Sequence, residues 1–338
     1  MIRCVLPSND MTTPKRHVLI GGGSGFVGKA LTESLLDQGH DVTIISRDPK
    51  PAFNYFYYFT PLNQKPTADV MTWDEIERDG LPPSIDAVIN LAGSNIMDFK
   101  KLWTCKYKDE CVSSRVNTTK LLAKAISESD DPPSVWISTS AVGFYPPSKV
   151  AEYDETYPPS HDNHNDGPDK DWASQLCTSI EKAAELPDVE EACTRSVIVR
   201  LGIVLGQGGG AYGKMRTPFY CCLGGTFGDG SQWFPYVHLK DVVRAYEFAV
   251  FDDRPRGPLN LVAPSMCTNK EFTKALGRAM WRPTILPVPS FVSKLMGKER
   301  GSILFSGQHV KPMTLTSLGF EFNFSDITSC CTDLVNGK

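Results

Sequence analysis

The stretch from His17 to Gly28 constrains this chain more than any other. His17-Val18-Leu19-Ile20 is a short apolar run, and Gly21-Gly22-Gly23-Ser24-Gly25-Phe26-Val27-Gly28 follows it without a break. Phe26, Val27, Ala30, Leu31, Leu35 and Leu36 then recur at helical spacing. Gly39 ends that helix, and Asp41-Val42-Thr43-Ile44-Ile45-Ser46 reads as a second strand. A strand, a glycine turn, a helix and a strand in succession form a βαβ unit, the context that gives a glycine pattern meaning. Two registers overlap, Gly23-Gly25-Gly28 and Gly22-Gly25-Gly28. In either one, backbone N–H groups from Gly22 through Ser24, Phe26 and Val27 to Gly28 approach a pyrophosphate at a helix N-terminus, where the helix dipole favours negative charge.

The alternation continues. Residues 87–92, 135–138 and 197–201 read as strands, while 116–126 and 172–186 have helical periodicity. This pattern predicts an α/β chain with a doubly wound parallel sheet of the Rossmann kind over 17–205. Beyond it, Gly206-Gln207-Gly208-Gly209-Gly210 and the prolines at 283, 287 and 289 mark a less regular remainder. Residues 206–338 are expected to form a smaller C-terminal α/β substrate lobe, with a segment of its own at about 284–330. Residues 1–16 read as a flexible tail, 51–67 as a surface insertion, and 157–171 as a polar loop. A length of 338 residues suits two such parts at ~150 residues each.

Charge limits the partners. With 35 basic and 39 acidic residues the net charge is -4, which gives no global positive field for nucleic acid or anionic membrane. No window approaches the ~18 apolar residues of a membrane span. A small-molecule partner is expected, with a homodimer as a further expectation. The ten cysteines contain no CxxC spacing and belong to a chain far longer than disulfide-stapled scaffolds, so they read as reduced, intracellular thiols, cytoplasmic in the first instance. His161 and His164 lie in a polar loop without further ligands, and no metal is expected.

The end of the second strand selects the dinucleotide. An acidic residue about 20 positions past the last glycine takes the ribose hydroxyls of NAD, whereas a cation there suits the 2'-phosphate of NADP. Here the strand runs into Ser46-Arg47. The guanidinium fork fits a phosphate and the Ser46 hydroxyl offers a second donor, so NADP is the expected cofactor. Asp48 is the one contrary residue, placed past the strand end beside Pro49.

The glycine turn, Asn90-Leu91-Ala92-Gly93 and Asn117 resemble the extended, epimerase-like short-chain dehydrogenase/reductases. Ser46-Arg47, Arg200-Leu201-Gly202-Ile203-Val204-Leu205-Gly206, His238 with Asp241, Thr268-Asn269 with Glu271-Phe272, and Ser306-Gly307-Gln308 before Pro312 are similar to the atypical family 39U within that superfamily. The resemblance runs from His17 to Ile327 and implies NADP-dependent oxidoreductase or epimerase chemistry. It also implies that Leu91, Ala92 and Gly93 lie under the nucleotide, that Glu110 and Arg115 reach its ribose or adenine side, and that Val204 approaches the nicotinamide. Core packing for the apolar members, and an ion pair between Glu110 and Arg115, are the competing readings.

Relatives of this kind use a serine, a tyrosine and a lysine to orient and protonate a substrate oxygen. Ser140 matches the serine. The literal Tyr145-to-Lys149 spacing contains Pro146-Pro147, which prevents a shared helical face. On helix 172–186 the family spacing, counted from Glu181, puts Ala173 where tyrosine belongs and Cys177 where lysine belongs. Ser140 and Tyr145 therefore stand as the catalytic candidates, with His238 a further proton source and Asp241 a helix cap. Arg200 is open between an anionic substrate and a carboxylate partner. Three functions follow: an oxidoreductase or epimerase acting on an unknown small carbonyl or sugar-like substrate, a non-catalytic NADP-binding sensor or scaffold, and a protein-interaction module using the aromatic stretch at 53–59.

Overall fold

Side chains alternate between two apolar faces along each central strand, and both faces are covered by helices. The computed structural model describes residues 14–49, 68–98, 100–158, 171–187, 194–285, 287–288 and 298–337. The proposed insertion 51–67, most of the tail 1–16, and His161 and His164 lie outside these residues. The first half runs β1 (His17–Gly21), α1 (Phe26–Asp37), β2 (Asp41–Ile45), β3 (Asp69–Met71), α2 (Trp73–Asp79), β4 (Ala87–Asn90), α3 (Cys105–Ser127) and β5 (Val135–Ala141). There follow β6 (Glu152–Tyr153), α4 (Trp172–Ala183), β7 (Arg195–Leu201), β8 (Ile203–Leu205), α5 (Gly210–Tyr220), β9 (Trp233–Phe234), β10 (Tyr236–His238), α6 (Leu239–Phe251) and β11 (Gly257–Leu261). The chain closes with β12 (Cys267–Thr268), α7 (Asn269–Ala279), α8 (Lys298–Phe305), β13 (His309–Val310), α9 (Met313–Ser317) and α10 (Ile327–Asn336).

Seven strands form one parallel sheet in the order β11-β7-β5-β4-β1-β2-β3. Val18, Ile20, Ile44, Ile89 and Ile137 pack with Leu31 and Leu35 of α1 and Tyr246 of α6. Leu19, Ile45, Val88 and Trp136 point the other way, toward Ile76 of α2 and Leu122 and Ile126 of α3. This two-residue alternation between buried faces is what a doubly wound parallel sheet requires. The expected fold is present.

The expected boundary at 205 is crossed. β11 comes from beyond it, pairs with β7 and completes the sheet, and α6 packs on α1. The glycine run at 206–210 interrupts the periodicity there, but the chain afterwards returns to the sheet. A second apolar cluster, with Phe234, Tyr236, Phe272, Leu276, Cys330, Cys331 and Leu334, holds α7 and α10 together. Thr268 and Glu271 form a reciprocal capping box at the start of α7. At α6 the cap is His238, whose Nδ1 accepts from Lys240 N–H at 3.2 Å. Asp241 is no cap: fully buried, its carboxylate accepts from the Asn323 and Phe324 N–H groups at 2.8 and 2.9 Å.

Candidate functional site

The sheet order reverses between β1 and β4, so the loops leaving their C-terminal ends diverge and open a crevice. The glycine turn forms one wall. Gly22 has φ +77°, and a Cβ on it would lie 2.9 Å from the Ala92 backbone leaving β4. Gly28 lets α1 close onto the turn, since a Cβ there would meet the Gly22 carbonyl oxygen at 2.4 Å. Gly25 caps α1 without any side-chain hydrogen bond, and no acidic residue occupies the first turn. The helix start therefore presents uncapped N–H groups and a positive dipole end, the arrangement that fits a pyrophosphate.

At the end of β2, Ser46 is buried and Arg47 exposed. The Ser46 hydroxyl lies 3.3 Å from that of Ser24 in the glycine turn and donates to the Asp48 carbonyl at 3.0 Å. Leu91 and Ala92 are half-buried at the exit of β4, where Leu91 N–H donates to the Gly21 carbonyl at 2.8 Å. Gly93 passes directly beneath the Arg115 guanidinium. Glu110 and Arg115 do not pair, since five residues along a helix place them on different faces. Glu110 accepts from Ser94 Oγ at 3.0 Å and Lys101 Nζ at 2.9 Å, and the lysine chiefly lowers its pKa. Arg115 donates to the Cys111 carbonyl at 3.0 Å, and burial lowers its pKa.

Phe26 packs against the second glycine run. Its ring fills the space beside Gly206, Gly209 and Gly210, where added Cβ atoms would lie 2.9, 2.7 and 2.6 Å from ring carbons. The glycine run thus receives a side chain of the glycine turn. Val204, on β8 at the same place, is half-buried.

Ser140 stands near the end of β5, 4% exposed, with the Cys177 thiol beside its hydroxyl. A Cβ on Gly143, just beyond it, would lie 3.2 Å from Ala173 Cβ and 3.6 Å from Cys177 Sγ. The two helix positions singled out by family spacing therefore do face the serine's turn. Burial pushes the Cys177 thiol up to about 12, which keeps it neutral and inert near pH 7.

Tyr145 is corrected from candidate proton donor to core residue. It is 0% exposed, and its hydroxyl lies 2.8 Å from Asn260 Oδ1 and 3.0 Å from the Asp154 carbonyl while accepting from Arg200 Nη1 at 2.9 Å. Burial raises its pKa. Arg200, itself 2% exposed, makes a bidentate pair with Glu181 at 3.0 and 2.9 Å and lies over the Phe144 ring. The open question about Arg200 is answered by the carboxylate partner. His238 is 3% exposed, with Nε2 3.2 Å from Asp333, and burial lowers its pKa. Among the described residues there is no cluster of three or more metal-ligating groups and no helix long and apolar enough to cross a membrane. Ser94, Lys101 and the Phe26 contact escape a reading of the sequence because each depends on a partner distant in the chain.

A doubly wound sheet with a glycine turn at its switch point and a buried serine closing β5 defines a dinucleotide-binding fold of the short-chain dehydrogenase/reductase class. A model of the NAD dependent epimerase/dehydratase family matches residues 18–260, and the chain belongs to that family. A model of a domain of unknown function matches 288–334. The chain is 41% identical over 321 residues to epimerase family protein SDR39U1 of Bos taurus, covering 94% of this chain and 99% of that one. A Staphylococcus haemolyticus epimerase family protein is 32% identical over 321 residues, 95% and 99% of the two chains. The crystal structure of human SDR39U1 (isoform 2) with NADPH superposes with a TM-score of 0.84 at 39% identity, covering 95% and 100% of the two chains.

Proposed function

We propose that this protein is an NADP(H)-dependent oxidoreductase or epimerase of atypical active site, acting on a small carbonyl or sugar-like substrate. The observation that carries the reading is the exposed Arg47 after the buried Ser46, joined to the glycine turn through Ser24. A cation at that position suits a 2'-phosphate, and the human relative crystallised with NADPH supports the choice. In this reading Gly22, Gly23, Ser24, Gly25, Phe26, Val27 and Gly28 hold the pyrophosphate, and Leu91, Ala92 and Gly93 floor the crevice. Glu110 and Arg115 hold the ribose or adenine side, and Val204 lies toward the nicotinamide.

The bound dinucleotide supplies hydride exchange. Ser140 orients the substrate oxygen: its buried hydroxyl has only the weakly hydrogen-bonding Cys177 thiol beside it, and a substrate oxygen is the stronger partner. Ala173 and Cys177 contribute neither phenol nor ammonium, so the protein lacks at those positions the acid that relatives of this class use. This same observation favours the second reading, a non-catalytic NADP sensor.

Mass spectrometry of the nucleotide that co-purifies with the full chain, followed by a carbonyl panel scored for NADPH consumption, tests both readings. NADP recovered together with turnover that Ser140→Ala reduces at least about tenfold supports the enzyme. NADP without turnover on any substrate favours the sensor, and NAD recovered alone refutes the cofactor assignment.

A further inference from the structure

The C-terminal segment matched by the family model of unknown function reaches back into the Rossmann half at several places, and at one of them a single side chain gathers a loop. Arg300 on α8 is 3% exposed. Its Nε donates to the Ile96 carbonyl at 2.9 Å, Nη2 to Asp98 at 3.0 Å and Nη1 to Lys101 at 2.8 Å. Three carbonyls of one loop are thus gathered by a single guanidinium, which also lies over the rings of Trp103 and Tyr107 at 4.4 and 5.1 Å. The neighbouring Glu299 accepts from Trp103 Nε1 at 2.9 Å and pairs with Lys108. Trp103 in turn meets Trp172, the first residue of α4, edge to face.

The loop so held, residues 95–98 and 100–104, lies between the exit of β4 at Asn90 and the start of α3 at Cys105. Lys101 carries the fastening inward: its carbonyl is held by Arg300 while its ammonium holds Glu110. Ser94, just before the loop, holds the same carboxylate. A carbonyl has no charge to attract a cation over distance, so three simultaneous donations by one rigid fork specify loop shape rather than general attraction.

We propose that α8 of this C-terminal segment is a clasp on the dinucleotide crevice, with Arg300 as the positioning residue. It fixes the loop after β4 and, through Lys101, holds Glu110 in place to retain the bound dinucleotide. The retention half rests on the assignment of Glu110 to the cofactor site, and the fastening half does not.

Hydrogen exchange on the cofactor-free full chain reads the fastening, and stopped-flow displacement of NADPH fluorescence reads retention. Arg300→Met should lose protection selectively at 95–98 and 100–104 and release NADPH on the order of tenfold faster. Arg300→Lys, which keeps the charge but not the fork, should fall between it and the wild type. Lys101→Met, an exposed change that leaves the Arg300 contacts intact, should speed release with the loop still protected. Unchanged protection at 95–98 and 100–104 in Arg300→Met overturns the clasp, and so does a loss spread evenly over the described residues. Selective loss with an unchanged release rate refutes retention. Should Arg300→Met fail to fold, an unchanged release rate in Lys101→Met refutes it as well. Wild-type protein that binds no NADPH refutes the cofactor reading and the retention role together, while the exchange pattern still decides the fastening.

Discussion

Arg200→Met separates a structural arginine from one that serves a ligand. Arg200 is 2% exposed, pairs with both carboxylate oxygens of Glu181, donates to the Tyr145 hydroxyl and has its guanidinium 3.5 Å from the Phe144 ring centre. Methionine keeps much of the volume but leaves the Glu181 carboxylate nearly buried and without its counter-charge. Breaking a buried pair from one side costs roughly 3–5 kcal/mol. That is a large share of the ~5–15 kcal/mol that typically holds a domain folded. Removing both charges is a different perturbation, because no uncompensated ion remains. The double variant Arg200→Met/Glu181→Leu should recover to within about 2 kcal/mol of the wild type. Urea unfolding followed by tryptophan fluorescence measures both differences from the wild type. A single variant within about 1 kcal/mol of the wild type would falsify the structural assignment. Lost NADPH binding at unchanged stability would return Arg200 to the ligand site.

Three further outcomes are expected. Gly206→Ala places a methyl 2.6 Å from Leu239 Cβ and 2.9 Å from the Phe26 ring, so it should cost roughly 1–3 kcal/mol in urea unfolding and weaken NADPH in fluorescence titration. Binding unchanged in that variant would show that the Phe26 contact does not support the glycine turn. Among the described cysteines, N-ethylmaleimide at pH 8 should modify the exposed Cys105, Cys221 and Cys222 first. Burial raises the pKa of Cys177, Cys267, Cys330 and Cys331 and should leave them unlabelled, and peptide mass mapping that finds Cys177 labelled as fast as Cys221 contradicts this. Thr268→Ala removes the capping box of α7 and should cost about 1 kcal/mol, read as a lower urea midpoint.

The β1-α1-β2 unit is readable from the sequence because its signals are local: an apolar run, glycines and a helical stripe in direct succession. β3 escapes, being three residues long. β11 escapes because Gly257 and Pro258 open it, and both read as loop. The periodicity predicts a helix over 116–126, whereas α3 starts at Cys105. Its polar first turns blur the stripe, although Thr104, whose side chain accepts from Tyr107 N–H, carries the cap signal that marks the start. Counting along α4 places Ala173 and Cys177 against the Ser140 turn because helical spacing is fixed. The fate of Tyr145, Arg200 and Arg300 is not readable in this way, since each is decided by partners brought together only by folding.

The central claim is that Arg47 makes this crevice an NADP site, and the most direct measurement is the dissociation constant for NADPH against NADH in the wild type and in Arg47→Asp. A charge-assisted contact worth ~1.5–3 kcal/mol converts to ~10–100-fold. The wild type should therefore prefer NADPH by that factor, and Arg47→Asp should lose the preference through weaker NADPH binding. Equal affinities in the wild type, or a preference that Arg47→Asp leaves intact, would contradict the account.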